Sequence, residues 1–337
     1  MSKSRPNNRS AMAGHGAILL LAVLVLGGLV TLGERFNASS LRNRQAKITT
    51  NALAQAKEAL LAYAVSHAAV PGILPCPDIN NAAAYEGSPK VSGANCAAYI
   101  GRLPWKKLGL SDLRDGSGEC LWYALSPRFQ DAGTHTVANG KAINSTVSGT
   151  LAVQDAFGQP LAGSPLIAIV FAPGPPLSGQ DRSTSSAHPI CGGNDIAGNY
   201  LDKSANGINN ATGNGVFLFA LSDSSATFND TAIGISATEL LVGVQKRVIG
   251  EIGASLKLYH ESAGALPYSA TNADTGIAVV GQETGFVPWY DLQPPPLISG
   301  LTSNAKNGWY SLITYRRKSA TSASLVLDGK PYDYAFQ

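Results

Sequence analysis

The first fifty residues change abruptly from basic to apolar and then to a helical pattern. Residues 1–16 carry three basic side chains, and residues 17–32 carry no charge. As an α-helix, this uncharged run would span about 24 Å, and continuation through Gly33 brings it closer to the ~30 Å hydrocarbon core of a bilayer. The basic flank orients such a helix by the positive-inside rule, so the chain after Glu34 is expected to be exported.

The helical pattern continues beyond this run. Apolar positions recur at intervals of three to five residues, which indicates one face of an α-helix: Ile48, Leu53, Ala56, Leu60 and Tyr63. A secretory signal peptide would be cleaved behind its apolar core, where "LGERFNASS" offers only a weak site. A discarded signal has no reason to continue into a helix. A retained helix is therefore favoured over a cleaved signal, and a plain membrane anchor is the alternative.

With its basic leader, glycine junction and apolar helix, the N-terminus resembles the type IV pilin-like superfamily, which includes type IV pilins and type II secretion pseudopilins. The resemblance implies that a prepilin peptidase cleaves after Gly16 and that Ala17 becomes the new, N-methylated terminus. It also implies a single-pass bacterial inner-membrane protein with its C-terminal part in the periplasm or in an extracellular filament. The implied partners are the prepilin peptidase, other pilin or pseudopilin subunits and the inner membrane.

The sequence departs from that family at the fifth position of the mature chain. Most members carry Glu there, and this chain carries Leu21. In the family's filaments, the resemblance implies, this carboxylate pairs with the N-terminal amine of a neighbouring subunit, because an unpaired charge in an apolar core is costly. Leu21 cannot form that pair. We therefore expect a low-copy minor subunit at the filament tip.

Two parts of the chain share one order of landmarks, which indicates an internal duplication. When Tyr63 is set against Tyr259, the two helical stripes coincide without a gap. Three further landmarks follow in both parts: Leu74-Pro75 and Leu266-Pro267, Leu103-Pro104-Trp105 and Val287-Pro288-Trp289, and Trp122-Tyr123 and Trp309-Tyr310. The predicted fold class is therefore α+β: a long N-terminal transmembrane helix followed by two pilin-like helix-on-antiparallel-sheet units.

The domain boundaries follow from this duplication. They are a leader peptide 1–16, a transmembrane and pilin-like N-terminal helix 17–70, a first exported α+β domain with long loops 71–235, and a second pilin-like helix-plus-sheet domain 236–337. Thr238 is the expected N-cap of the second helix. One face of that helix is expected to carry Leu241, Val244, Val248 and Ile252. The aromatic landmarks are interpreted as packing residues.

All four cysteines lie beyond the apolar run, and their even number in an exported segment predicts two disulfides. Four cysteines allow three connectivities. Cys76–Cys96 is preferred because a loop of about 20 residues closes readily. Cys120–Cys191 then follows by elimination.

Composition favours an exported, loop-rich protein over a cytosolic enzyme. Charged residues make up only 14% of the chain, whereas there are 36 Gly and 19 Pro. The net charge of +3 equals the charge of the leader, so the rest of the chain has no long-range attraction for nucleic acid. GxSxG, HExxH, P-loop and GxGxxG motifs are absent from the sequence. The expected protein is not an enzyme and has no cofactor.

Two weaker interpretations concern the polar segment 173–215. Its oxygen-rich side chains match no EF-hand spacing and are interpreted as an ordinary loop, with no metal site: Asp195, Asn199, Asp202 and Asn206. The length of the loops suggests an adhesin-like binding module, displayed on a filament or anchored to the membrane, as the alternative to a structural subunit. A membrane-anchored periplasmic enzyme is the least favoured hypothesis.

Overall fold

The computed structural model describes residues 11–155, 157–183, 185–204, 207–212, 216–219, 228–292 and 300–337, with the side chains of 11–38 and 302 excepted. The chain divides into two compact units, Met1–Ile48 and Thr49–Gln337. Every strand in the described residues belongs to the second unit.

The described residues form three α-helices and twelve short strands. The helices are α1 (Ala11–Ser66), α2 (Ala237–Ala263) and α3 (Gly300–Lys306). The strands of the first half are β1 (Val91–Ser92), β2 (Asn95–Cys96), β3 (Ile100–Arg102), β4 (Trp122–Leu125), β5 (Ala152–Gln154), β6 (Ala168–Ala172), β7 (Val216–Leu218) and β8 (Thr231–Ile235). Those of the second half are β9 (Thr284–Phe286), β10 (Ile313–Arg317), β11 (Ser322–Leu327) and β12 (Lys330–Ala335).

The fold class expected from the sequence is wrong, because its transmembrane helix is not found. Among the described residues, no helix is both long enough and apolar enough to cross a bilayer. The expected transmembrane segment within 17–70 is therefore corrected, and so is the single-pass inner-membrane localisation that depended on it. Charged side chains inside a bilayer are costly. Residues 39–66, the part of α1 whose side chains are described, carry five of them: Arg42, Arg44, Lys47, Lys57 and Glu58.

Two four-stranded antiparallel sheets contain most of the strands. Sheet 1 has the order β3-β4-β6-β8, and sheet 2 has the order β12-β11-β10-β9. In each sheet, strands that are neighbours in space are also consecutive members of that sheet along the chain. Sheet 1 follows α1 and sheet 2 follows α2, so the two halves share one order of helix and strands. β1 and β2 form a separate antiparallel pair, and β5 pairs with β7 in parallel.

Sheet 1 is buried on both faces. Side chains of a strand alternate between its faces, and Tyr123 and Leu125 of β4 join the main core with residues of α1, α2 and sheet 2. Trp122 and Ala124 point the other way, into a second core that includes Tyr200 of the polar segment 173–215, here called the middle segment, and Phe217 of β7. The polar middle segment thus supplies apolar residues that cover the second face of sheet 1.

Sheet 2 is buried on one face only. In β10, Ile313 and Tyr315 are buried, whereas Thr314 and Arg316 are exposed. β11 and β12 are joined by a two-residue turn, Asp328-Gly329, in which both residues have positive φ, 50° and 76°. That backbone is typical of a type I′ hairpin, and an Asp-Gly pair is one of its preferred sequences.

The expected apolar face of α2 is confirmed, and its expected N-cap is wrong. Leu241, Val244, Val248 and Ile252 are all buried. The N-cap is Ser236, whose side chain accepts a hydrogen bond of 3.2 Å from the backbone N–H of Glu239. Ser236 is favoured over Thr238 because Glu239, three residues later, completes the sequence of a capping box.

The last turns of α1 pack against α2 in the main core. Leu53, Ala56 and Leu60 of α1 are buried. Arg247 of α2 donates hydrogen bonds of 2.6 Å and 2.7 Å to the carbonyls of Val65 and His67. Carbonyls at a helix C-terminus lack partners within the helix and favour a nearby cation. Arg247 therefore joins the end of α1 to the middle of α2.

One tryptophan in each half lies against a glycine with positive φ. A Cβ atom on Gly87 (φ 79°) would lie 2.4 Å from the Trp105 ring, and one on Gly276 (φ 59°) would lie 2.2 Å from the Trp289 ring. Both tryptophans are half-buried. Of the other aromatic landmarks, Trp122 and Trp309 are fully buried, which fits their interpretation as packing residues.

Candidate functional site

Two disulfides fasten the loops of the first half. Cys76 is joined to Cys96 and Cys120 to Cys191, with Cα–Cα distances of 5.3 Å and 5.6 Å. This is the pairing preferred from the sequence. Cys120 lies two residues before β4, so its disulfide ties the middle segment directly to sheet 1. Such bonds persist in an oxidising compartment.

A buried arginine holds the segment next to Cys191. Arg102 Nη2 donates hydrogen bonds to the carbonyls of Gly192 (2.6 Å) and Asn194 (3.0 Å) and to the Tyr200 hydroxyl (3.2 Å). Its guanidinium lies 5.2 Å from the centroid of the Tyr200 ring and 5.9 Å from that of Trp122. The planar guanidinium thus stacks on aromatic rings and satisfies loop carbonyls at once.

A second arginine contacts the same tyrosine. The Arg182 guanidinium lies 4.7 Å from the centroid of the Tyr200 ring and forms an ion pair of 3.2 Å with Glu119. Its Nε and Nη1 atoms donate to the carbonyls of Asn199 and Gly174, each at 2.7 Å. The loops between β6 and β7 are therefore fastened by two arginines and one disulfide.

Two buried aspartates lie beside each other beneath these loops. The backbone N–H of Asp202 donates to Asp230 Oδ2 (2.9 Å), and the backbone N–H of Asp230 donates to Asp202 Oδ2 (3.1 Å). Burial raises the pKa of both carboxyls, and the neighbouring Asp202 charge raises the pKa of Asp230 further. Asp202 also lines a polar cavity of about 340 Å³, together with Gln180, Lys203 and Asn209.

The Asp230 carboxyl predicts a pH dependence of stability. Because its pKa is raised on folding, the native state binds more protons than the unfolded chain above about pH 4. The free energy of unfolding should therefore fall as pH rises through the native pKa, by up to about 1.4 kcal/mol per pH unit. Asp230→Asn should remove this contribution, as measured by urea unfolding from pH 4 to pH 8.

The matched control is Asp274→Asn, at an exposed position in a turn. The difference between Asp230→Asn and the wild type should change with pH, whereas that for Asp274→Asn should remain nearly constant. Burial lowers the pKa of His67, which acts in the opposite direction by reducing stability as pH falls below about 6.5. Differences between variants at each pH cancel that contribution. Parallel curves for Asp230→Asn and the wild type would contradict the prediction.

The oxygen-rich series of the middle segment does not converge on one point. Asp195 pairs with His188 at 2.7 Å, and Asn199 accepts from the backbone N–H of Asp181. Asp202 accepts from Gln180 and from two backbone N–H groups. Asn206 lies outside the described residues. Within the described part of the chain, no group of three or more His, Cys, Asp or Glu side chains is arranged to hold a metal ion.

A cluster of titratable side chains lies at the end of α1. Tyr63 donates a hydrogen bond to Asp131 Oδ2, while His67 Nε2 and Lys107 Nζ lie 3.6 Å and 3.7 Å from the Asp131 carboxylate. His67 Nδ1 accepts from the backbone N–H of Val70, which leaves the proton of a neutral ring on Nε2, facing Asp131. Neither imidazole nitrogen is then placed as a general base, so the cluster is interpreted as structural.

An apolar cavity of about 540 Å³ lies at the edge of sheet 1. No charged residue is among the described residues that line it. Its apolar wall includes Ile100, Leu125, Pro127, Leu151, Ala211 and Phe217. No sequence signal marks this cavity, because its wall combines strand and loop residues that are far apart in the chain.

The structure gives no side-chain positions for the residues expected to mark processing and assembly. Gly16, Ala17 and Leu21 belong to α1, in the part whose side chains lie outside the described residues, and residues 1–10 lie outside them entirely. Of the expected site residues, the structure brings together only the paired cysteines.

Comparisons of the chain with protein-family models, with curated proteins and with solved structures find no match. Its function is therefore inferred from its own residues.

Proposed function

We propose that the chain is a non-catalytic subunit of a type IV pilus or type II secretion filament, of the minor-pilin or pseudopilin kind, processed by a prepilin peptidase after Gly16. The observation that carries the proposal is the extent of α1, Ala11–Ser66. The helix that contains the Gly16–Ala17 junction is the same helix whose last turns are built into the main core. α1 is also unbroken through "LGERFNASS", residues 32–40, where a signal peptidase would have to cut. The proposal makes no use of a membrane-spanning segment.

The polar side chains of the second unit support a structural role over catalysis. Arg102 and Arg182 are engaged with loop carbonyls, and the Asp131 carboxylate is shared among Tyr63, His67 and Lys107. Catalysis would need a base and a nucleophile that converge on open space. These groups instead satisfy one another within the fold.

Processing after Gly16 is tested by expressing the full-length chain with and without a prepilin peptidase and sequencing the N-terminus. With the peptidase, the mature chain should begin at Ala17. Gly16→Leu should block cleavage, because the bulky side chain replaces the residue that precedes the cut. An intact leader in the wild-type chain under both conditions would overturn the proposal.

The position of the subunit follows from Leu21, which lacks a carboxylate to neutralise a neighbour's amine. We expect a low-copy subunit at the filament tip. Mass spectrometry of sheared filaments should find it far below the major subunit, and Leu21→Glu should change its incorporation without preventing cleavage. Immunogold labelling spread uniformly along the shaft would contradict a tip position.

One observation favours the alternative of an adhesin-like module. The polar cavity of about 340 Å³ in the fastened loops carries amide, carboxylate and ammonium groups of Gln180, Asp202, Lys203 and Asn209. Such groups suit a small polar ligand. A glycan screen with the full-length chain tests this function, and Lys203→Ala, which removes a charge from the cavity, should abolish any specific signal. Binding unaffected by Lys203→Ala would place the ligand elsewhere and count against this module.

A further inference from the structure

The edge of sheet 1 offers unpaired backbone groups at one residue of β3. Leu125 N donates to Tyr99 O, and Leu103 N donates to Leu121 O, each at 2.9 Å. In an antiparallel pair, residues alternate between facing the partner strand and facing away from it. The N–H and C=O of Ile100, which lies between these positions, therefore point away from β4.

Two residues further along β3, the same edge of the sheet is paired. The outward N–H and C=O of Arg102 form hydrogen bonds of 2.8 Å and 2.9 Å with the backbone of Asp78. For Ile100, no such partner is found among the hydrogen bonds of the described residues. The edge of the sheet is thus paired at Arg102 and unpaired at Ile100, and unpaired strand edges are sites where an added strand can pair.

The unpaired position coincides with the apolar cavity, since Ile100 is one of the residues that line it. The polar groups near the cavity already have partners in the fold. The Thr150 hydroxyl contacts that of Ser126 at 3.1 Å, and the Tyr99 hydroxyl donates to Gln130 at 2.9 Å. With no charge in the described lining and its hydroxyls engaged, the cavity suits an uncharged apolar group.

We propose that this edge docks an extended segment of a partner protein, which pairs with Ile100 and places a large apolar side chain in the cavity. A residue directly opposite Ile100 projects its side chain to the same face of the sheet, where the cavity lies. Main-chain hydrogen bonds then hold the segment, and the cavity selects its side chain. A free apolar molecule would leave the Ile100 N–H and C=O unused. This docking does not depend on leader cleavage.

The test uses the full-length chain and a fluorescein-labelled peptide, TVFVT, followed by fluorescence anisotropy. Two altered peptides isolate the two contacts: one replaces the central Phe with Asp, and one carries an N-methyl group on the Phe nitrogen. Each change should weaken binding about tenfold, because the first puts a charge in an apolar cavity and the second removes a main-chain hydrogen bond. Both leave the protein unaltered, so folding cannot explain the loss.

Two measurements on the protein complete the test. Ala211→Phe should fill the cavity and weaken TVFVT binding about tenfold, whereas Ala254→Phe, on the exposed face of α2, should not. Hydrogen exchange at the Ile100 amide should slow when TVFVT is bound. Equal binding of all three peptides, or no protection of Ile100, would overturn the docking mode. So would binding of the uncharged dye N-phenyl-1-naphthylamine by a chain that binds no peptide.

Discussion

Gly276→Ala is expected to lower the free energy of unfolding by about 2–5 kcal/mol. The new Cβ would lie 2.2 Å from two atoms of the Trp289 ring, and the ring is held by a hydrogen bond of 2.8 Å from Nε1 to Ala273 O. Overpacking of this kind costs about 1–3 kcal/mol, and the positive φ of 59° adds about 1–2 kcal/mol of backbone strain. Urea unfolding followed by tryptophan fluorescence measures the change.

Two further variants separate the cost of overpacking from the cost of backbone strain. Gly281→Ala shares the positive φ, at 86°, but no atom lies within 4 Å of its added Cβ, so only the backbone strain of about 1–2 kcal/mol is expected. Gly87→Ala, against Trp105, should resemble Gly276→Ala, because a glycine underlies a tryptophan in both halves. If Gly276→Ala costs no more than Gly281→Ala, the Trp289 ring is free to move and the packing argument is wrong.

Elements with a clear period were predictable from the sequence. The buried face of α2 followed from apolar residues at helical spacing, and the apolar segments "LWYALS" and "LIAIVFAPG" contain β4 and β6. The type I′ turn at Asp328-Gly329 was also readable, since Asp-Gly between alternating apolar residues is a strong hairpin signal. The repeat landmarks end at Tyr310 and therefore do not include this hairpin.

Features that depend on distant contacts could not be read in the same way. Tyr200 of the second core is contacted by Arg102, 98 residues away, and by Arg182, and both guanidinium groups lie over its ring. The N-cap of α2 depended on which of Ser236 and Thr238 has Glu three residues later. The transmembrane expectation came from counting apolar residues, and no helix among the described residues is long and apolar enough to bear it out.

The loops between β6 and β7 show the same difficulty for prediction from sequence. A run of Gly, Pro, Ser and Asn predicts a loop, but it does not show that the loop supplies Tyr200 and Leu201 to a second core beneath sheet 1. Apolar residues in such a segment have no period, so their burial cannot be inferred from spacing. Their positions are determined by the crosslink and the arginines that hold the segment against the sheet.

That crosslink gives the last prediction, in which removing Cys120–Cys191 destabilises the chain more than removing Cys76–Cys96. The closed segments span 71 and 20 residues. Each disulfide lowers the entropy of the unfolded chain. The resulting contribution to the free energy of unfolding is about 4.4 kcal/mol for Cys120–Cys191 and about 3.3 kcal/mol for Cys76–Cys96. Replacement of each pair by Ala avoids a buried hydroxyl, and urea unfolding of the two double variants measures the difference.

Hydrogen exchange separates the entropic effect from a local one. Cys120–Cys191 joins the middle segment to sheet 1, so Cys120→Ala/Cys191→Ala should speed hydrogen exchange of the amides around Tyr200 and Leu201. The amides of β10 and β11 should still exchange only through global unfolding. Cys76→Ala/Cys96→Ala should leave the Tyr200 region unchanged and serves as the matched control. If both double variants lose the same stability and Tyr200 exchanges as in the wild type, Arg102 and Arg182 hold the loops without the disulfide.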